Sequence, residues 1–145
     1  MTEFDQLYRE VILDHYRNPR GHGLLEAPDA QAEGQNPLCG DEITVYLQVD
    51  DGVVTDVKVG GQGCSISQSS ASMMSQAVKG KSVDDVTALV KKFKGLMSVE
   101  EVDDEPAADV PLGDLEALQG VVKFPVRIKC ATLAWNTLTE ALAKA

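Results

Sequence analysis

The chain has little of what usually marks a metal-binding or disulfide-bonded protein. It holds three cysteines and two histidines in 145 residues, and no CxxC pair. An odd cysteine count argues against a disulfide framework, and without CxxC the ordinary zinc spacing is missing. Basic residues are scarce as well, 13 against 23 acidic ones, for a net charge of −10. That balance argues against nonspecific nucleic-acid binding and against anionic membrane surfaces. It is compatible with a partner that presents a basic docking surface. No apolar run approaches a transmembrane length, and the start, Met1-Thr2-Glu3-Phe4-Asp5, is acidic with no apolar core behind it. Neither a membrane span nor a secretory signal is therefore expected. Reduced thiols fit a cytoplasmic location, where thiolate ligands survive.

What is present is concentrated around the cysteines. A hydrophobic content of 43% and a charged content of 25% are globular values, and one domain over residues 1–145 is expected. Cys39 lies in Asn36-Pro37-Leu38-Cys39-Gly40-Asp41, Cys64 ends Gly61-Gln62-Gly63-Cys64, and Cys130 follows Lys129. A thiolate and a carboxylate two residues apart, with a glycine between them, can turn toward one point. Together with Cys64 and Cys130 they make three soft donors and one harder one, a full tetrahedral set for zinc. Two plainer readings stand beside this one. Free cysteine is among the most buried residue types and serves as core filler, and Asn-Pro or Cys-Gly-Asp can be an ordinary turn.

Hydrophobic periodicity orders the chain. Phe4, Leu7, Tyr8, Val11, Ile12 and His15 recur at steps of three and four, which predicts a helix over 3–17 that Asn18-Pro19 stops. His15 reads as a structural histidine and His22, between two glycines, as a solvated loop residue. Residues 20–38 show little periodicity and read as a long loop delivering the chain to Cys39. Ile43, Val45, Leu47 and Val49 alternate along a strand over 42–49, and Asp50-Asp51-Gly52 is a hairpin signal. Val53, Thr55, Val57 and Val59 are expected on one face of the return strand, with Gly60-Gly61-Gln62-Gly63 ending it before Cys64. The two outer ends of an antiparallel hairpin are neighbours, so Cys39, Asp41 and Cys64 should converge.

Helices account for the rest. A serine-rich helix over about 66–79 starts beside Cys64, where its free N–H groups and dipole favour a thiolate. Its serines read as packing and capping residues. Ser82 with Asp85 looks like a capping pair before a second amphipathic helix whose basic end carries Lys91, Lys92 and Lys94. Residues 98–111 are acidic and contain prolines, as in a linker, and Leu112, Leu115 and Leu118 point to a short helix. Pro125 suits the first position of a final helix over about 125–143, with Ile128, Ala131, Trp135, Leu138 and Leu142 as its apolar stripe. Trp135 reads as core. Cys130 falls off that stripe, which makes it less easily dismissed as filler.

Four segments together resemble the IscU/NifU-like family of iron–sulfur assembly proteins, over nearly the whole chain. They are Tyr8 with Val11-Ile12-Leu13-Asp14-His15-Tyr16-Arg17-Asn18-Pro19-Arg20-Gly21, then Asn36 to Asp41, then Gly63-Cys64-Ser65-Ile66-Ser67 with Ser69-Ser70, then Phe124-Pro125-Val126-Arg127-Ile128-Lys129-Cys130. Within the family the chain is most similar to the SufU-type zinc-dependent sulfurtransferases. Scaffold-type members carry a histidine before the third cysteine, where this chain has Lys129, and a double-proline segment upstream, of which Phe124-Pro125-Val126-Arg127 is a weak echo. The stretch from Gly80 to Pro125 also looks longer than in scaffolds.

The resemblance implies an α+β fold, a small antiparallel sheet of a hairpin plus a third strand, packed with several helices. It implies Zn2+ held by Cys39, Asp41, Cys64 and Cys130. Three thiolates and a carboxylate outweigh the charge of one zinc ion, and Arg127 and Lys129, near Cys130, either offset that excess or stand as solvated charges. It implies that a pyridoxal-phosphate cysteine desulfurase of the SufS type docks and supplies a replacement ligand. Cys39, the ligand on the most flexible loop, is then released as the persulfide acceptor, and the sulfur passes on to an iron–sulfur assembly scaffold. No nucleic acid or membrane enters this scheme. The alternative is a scaffold that holds a transient [2Fe–2S] cluster, and a third reading is a purely structural zinc domain.

Overall fold

The computed structural model describes residues 3–23, 25–36, 40–97, 118 and 125–144. Seven elements follow in chain order: helix α1 (Glu3–Arg17), strands β1 (Ala30–Asn36), β2 (Asp41–Asp50) and β3 (Val53–Gln62), and helices α2 (Ser65–Val78), α3 (Val83–Leu96) and α4 (Pro125–Lys144). The strands form one antiparallel sheet in the order β1-β2-β3. This is the expected α+β architecture. The acidic 98–111 stretch, and Leu112 and Leu115 of the expected short helix, lie outside the described residues, while Leu118 is buried.

The hairpin forms where its pattern placed it. Ile43, Val45 and Leu47 point into the core from β2. Asp51 (φ 55°) and Gly52 (φ 77°) both take the left-handed region, as a type I′ turn requires. The return strand differs from simple alternation. Gln48 pairs with Asp56 but Val49 pairs with Val54, so Thr55 is an extra residue in β3. The bulge turns Thr55 outward, its Oγ1 donating to the Gln48 carbonyl at 3.1 Å, and puts Val54 in the core with Val57 and Val59. The glycines do not end the strand either; β3 runs through Gly60 and Gly61 to Gln62. At Gly61 (φ +112°) the chain passes so close to the Glu42 carbonyl that a Cβ would collide with it.

The loop expected over 20–38 contains the third strand. In β1, Ala30, Ala32 and Asn36 are buried, Gly34 faces the same way, and Gln31, Glu33 and Gln35 are exposed. The alternation is regular, but Ala, Gly, Gln and Asn are weak strand formers and supply almost no hydrophobic contrast. Small side chains suit this strand because α4 lies directly on it. A Cβ at Gly34 would run into Thr137 Oγ1 and meet Leu133. Lys144 Nζ donates to the Gln31 carbonyl, and Asn36 reaches Cys130, so α4 runs antiparallel to β1.

Helix α4 therefore has two buried faces. Ala131, Trp135 and Leu138 form the expected stripe, and Trp135 stacks on Phe93 of α3 with ring centroids 4.5 Å apart. Cys130, Leu133 and Thr137 form a second stripe along β1. Cys130, off the first stripe, is nonetheless 1% exposed. The helix is enclosed from several sides, so one-sided periodicity understates its burial.

The serines of α2 fasten the layers to one another. Ser69 Oγ donates to the Ile12 carbonyl and Ser70 Oγ to the Ala131 carbonyl, while Trp135 Nε1 donates to Ser70 Oγ. Ser75 Oγ donates to the Arg20 carbonyl. Buried His15 lies with Nδ1 2.8 Å from Ser72 Oγ, as a structural histidine should. His22 is exposed. Hydroxyls of this size let helices approach closely while satisfying backbone groups that would otherwise be buried without partners.

Candidate metal centre

The hairpin and two helix starts meet at one end of the sheet. Asp41 opens β2, and its side chain is buried at 1% exposure. Cys64 follows β3 as the N-cap of α2, and its Sγ accepts from the Ser67 N–H at 3.5 Å. That N–H and the positive end of the helix dipole complement negative charge on the sulfur. Cys130 enters from the early turns of α4. One ligand atom from each of Asp41, Cys64 and Cys130 lies within 4.8 Å of the others. Asp41 and Cys64 thus converge at the outer ends of the hairpin, and α4 supplies the third donor.

The carboxylate is oriented rather than loose. Asp41 Oδ1 accepts the Cys64 backbone N–H at 2.8 Å, while Oδ2 is 4.0 Å from Cys64 Sγ. One oxygen is thereby held by the backbone and the other lies toward the Cys64 sulfur. Gly63 makes this approach possible, since a Cβ there would strike Ser67 Oγ and the Asp41 carboxylate. The donor set suits zinc: ligand atoms of a tetrahedral site with zinc–sulfur bonds near 2.3 Å and zinc–oxygen bonds near 2.1 Å lie about 3.4–3.8 Å apart. Closure from the observed spacing is small.

Cys39, the expected fourth ligand, lies outside the described residues together with Pro37 and Leu38. Gly40, which follows it, has φ +70°. Arg127 and Lys129 are both exposed on the first turns of α4. Arg127 precedes Cys130 by three residues and so shares its side of the helix, whereas Lys129 is rotated by about 100°. Neither side chain is brought into the cluster by a hydrogen bond or ion pair among the described residues.

Two contributors escaped the reading of residue types. Ser67 supplies the N–H to Cys64, and its hydroxyl lies 3.8 Å from the sulfur and donates to the Cys64 carbonyl at 3.1 Å. The cap-to-third-residue spacing of Cys64 and Ser67 carried that signal. Asn36 donates from Nδ2 to Cys130 Sγ at 3.7 Å. No local pattern announces a contact across 94 residues.

The sequence profile described as the NifU-like N terminal domain matches residues 7–131. The chain belongs to this NifU-like family. It is 49% identical over 143 residues to the zinc-dependent sulfurtransferase SufU of Bacillus subtilis (strain 168), covering 99% of this chain and 94% of that one. It is 40% identical over 144 residues to the iron–sulfur cluster assembly scaffold protein IscU of Streptococcus pyogenes serotype M1, covering 99% and 87%. A crystal structure described as an iron–sulfur cluster assembly scaffold protein for the SUF system (FiSufU), from Fervidobacterium islandicum AW-1, superposes with a TM-score of 0.80 at 33% identity, over 98% of this chain and 96% of that one. The NifU-like fold is thus shared across nearly the full chain. No helix among the described residues is long and apolar enough to cross a membrane.

Proposed function

We propose that this protein is a zinc-dependent sulfurtransferase of iron–sulfur cluster assembly, acting in the cytoplasm as acceptor of persulfide sulfur from a cysteine desulfurase. The observation that carries this reading is the convergence of Asp41, Cys64 and Cys130, with the carboxylate fixed by the Cys64 N–H. The name of the Bacillus subtilis relative supports it. Cys39 is the fourth ligand in this proposal. It is tethered two residues before Asp41, which keeps its Cα within about 7 Å of Asp41's by covalent geometry alone. Zinc, when bound, supplies charge that keeps the thiols deprotonated and ties the loops together.

The chain's own residues then divide the work. Asp41, Cys64 and Cys130 are held by strand and helix starts and act as anchors. Cys39 is the nucleophile: its thiolate attacks the outer sulfur of the desulfurase persulfide. A sulfur–sulfur bond forms on Cys39, the donor's sulfur–sulfur bond breaks, and the desulfurase cysteine leaves as thiolate. No net oxidant is consumed, and the rate depends on thiolate fraction and access. Arg127 and Lys129, exposed beside the cluster, offset negative charge at the approach. A downstream assembly scaffold would take the sulfur.

The test combines metal analysis with sulfur mapping. The purified protein should hold one zinc per chain, stimulate a SufS-type desulfurase, and carry the added sulfur on Cys39 by peptide mass spectrometry. Sulfur found on Cys64 or Cys130 alone would reverse the role assignment, and zinc without stimulation would leave a structural zinc domain. A second reading, assembly of a [2Fe–2S] cluster on the same residues, is favoured by the scaffold name of the Streptococcus pyogenes relative. Lys129 stands against it, because this chain has a lysine where scaffold-type members have an imidazole.

A further inference from the structure

Both cysteines described at the cluster receive an N–H on sulfur, from different sources. Cys64 takes a backbone N–H from its own helix, which any residue at position 67 other than proline would supply. Cys130 takes its N–H from a side chain, Asn36, across the sheet-to-helix interface. Asn36 is 6% exposed, is the last residue of β1, and pairs in register with Asp41. One residue is therefore fixed by its backbone against one ligand and reaches a second ligand with its amide. Polar groups this buried are retained at a cost unless they serve a partner.

We propose that Asn36 is a positioning residue that holds the Cys130 sulfur at the centre and withholds it from sulfur acceptance. The inference rests on the proposed zinc sulfurtransferase reading and extends it to a choice between thiols. An N–H donated to a thiolate shares the electron pair that would attack a persulfide, so the bonded sulfur is the poorer nucleophile while remaining a ligand. Cys130 is 1% exposed, so a sulfur–sulfur bond formed on it would lie in the core. Groups that hydrogen-bond metal ligands orient them and typically change metal affinity by about 10-fold to 100-fold when removed. The site uses one such device on each described sulfur, leaving Cys39 as the acceptor.

Asn36→Leu keeps the side-chain shape without a donor, and Asn36→Ala removes both. Each is made in the full-length protein and loaded with cobalt as a spectroscopic substitute for zinc. The thiolate-to-cobalt absorption should shift to lower energy in both variants. Zinc affinity by chelator competition should fall about 10-fold or more. Alkylation of Cys130 relative to Cys64 in the loaded protein, read by peptide mass spectrometry, should rise severalfold. Unchanged absorption, affinity and alkylation ratio in a folded variant would overturn the proposal. Loss of the fold in both variants, seen by circular dichroism, would assign Asn36 to the fold and overturn it equally. Failure of the unaltered protein to show thiolate-to-cobalt absorption would instead overturn the zinc reading itself, whatever Asn36 does.

Discussion

The Cys64 backbone N–H is bonded to Asp41 Oδ1 at 2.8 Å, so the main chain of one candidate ligand aims the side chain of another. The bond joins the two outer ends of the hairpin. It also uses only one carboxylate oxygen, leaving Oδ2 toward the Cys64 sulfur. Structure and chemistry separate at this residue. Asp41→Asn keeps an oxygen acceptor for the Cys64 N–H but loses the charge. Asp41→Ala loses both and leaves that N–H without its partner, a cost of about 1–3 kcal/mol. We expect urea melts of the metal-free proteins to place Asp41→Asn near the unaltered protein and Asp41→Ala lower by that amount. Zinc affinity should fall in both.

The position of Cys130 depends on how closely α4 lies on β1. Gly34→Ala should drive the helix outward, because the new Cβ runs into Thr137 Oγ1. Overpacking of this kind costs about 1–3 kcal/mol. Thr137→Ala makes room, so the double variant should recover most of the loss, a coupling that a double-mutant cycle measures directly. Zinc affinity should follow the same order, falling in Gly34→Ala and returning in the double variant. Additive effects in the cycle would show that this contact does not set the helix position.

The hairpin and the long helices were legible in the residues because each has strong contrast on one face: Ile43, Val45 and Leu47 in β2, Ala131, Trp135 and Leu138 in α4. The bulge at Thr55 was not, since an extra residue leaves composition unchanged and alters only the partner across the ladder. Strand β1 was hidden for a different reason. Its inward residues are small because α4 needs the space, and small residues carry little hydrophobic signal. The same closeness hid the second buried face of α4 and with it the surroundings of Cys130. Asp41 and Cys64 could be brought together from hairpin geometry alone. The Asn36 contact required knowing which helix lies on which strand.

Removing zinc should lower the melting temperature, since the metal would cross-link side chains from β2, α2 and α4 in addition to the hydrogen bonds that already join these elements. Binding to the native state stabilises by mass action, more as free metal rises above its dissociation constant. The effect should depend on pH in one direction. Zinc takes thiolates and a carboxylate, so protons compete with it. The melting-temperature difference between zinc-loaded and chelated protein should therefore be large at neutral pH and shrink as pH falls. Scanning calorimetry at matched zinc concentration reads this difference. A gap that stays constant on acidification would exclude thiolate ligation as its source.

Substitution of Lys129 tests sulfur transfer against cluster assembly. It sits exposed in the early turns of α4, immediately before buried Cys130. A lysine amine must lose a proton before it can bind metal, whereas an imidazole is largely neutral at pH 7. The unaltered protein should therefore fail to hold a stable [2Fe–2S] cluster after anaerobic incubation with iron and sulfide. Lys129→His adds a donor one residue from Cys130 and should gain cluster absorption, with zinc as competitor. The variant should keep its zinc affinity within a few-fold, because Asp41, Cys64 and Cys130 are untouched. Visible absorption and circular dichroism after desalting distinguish a bound cluster from adventitious iron sulfide. Efficient reconstitution of the unaltered protein, followed by transfer of the cluster to an apo-ferredoxin, would replace the sulfurtransferase reading with that of a scaffold.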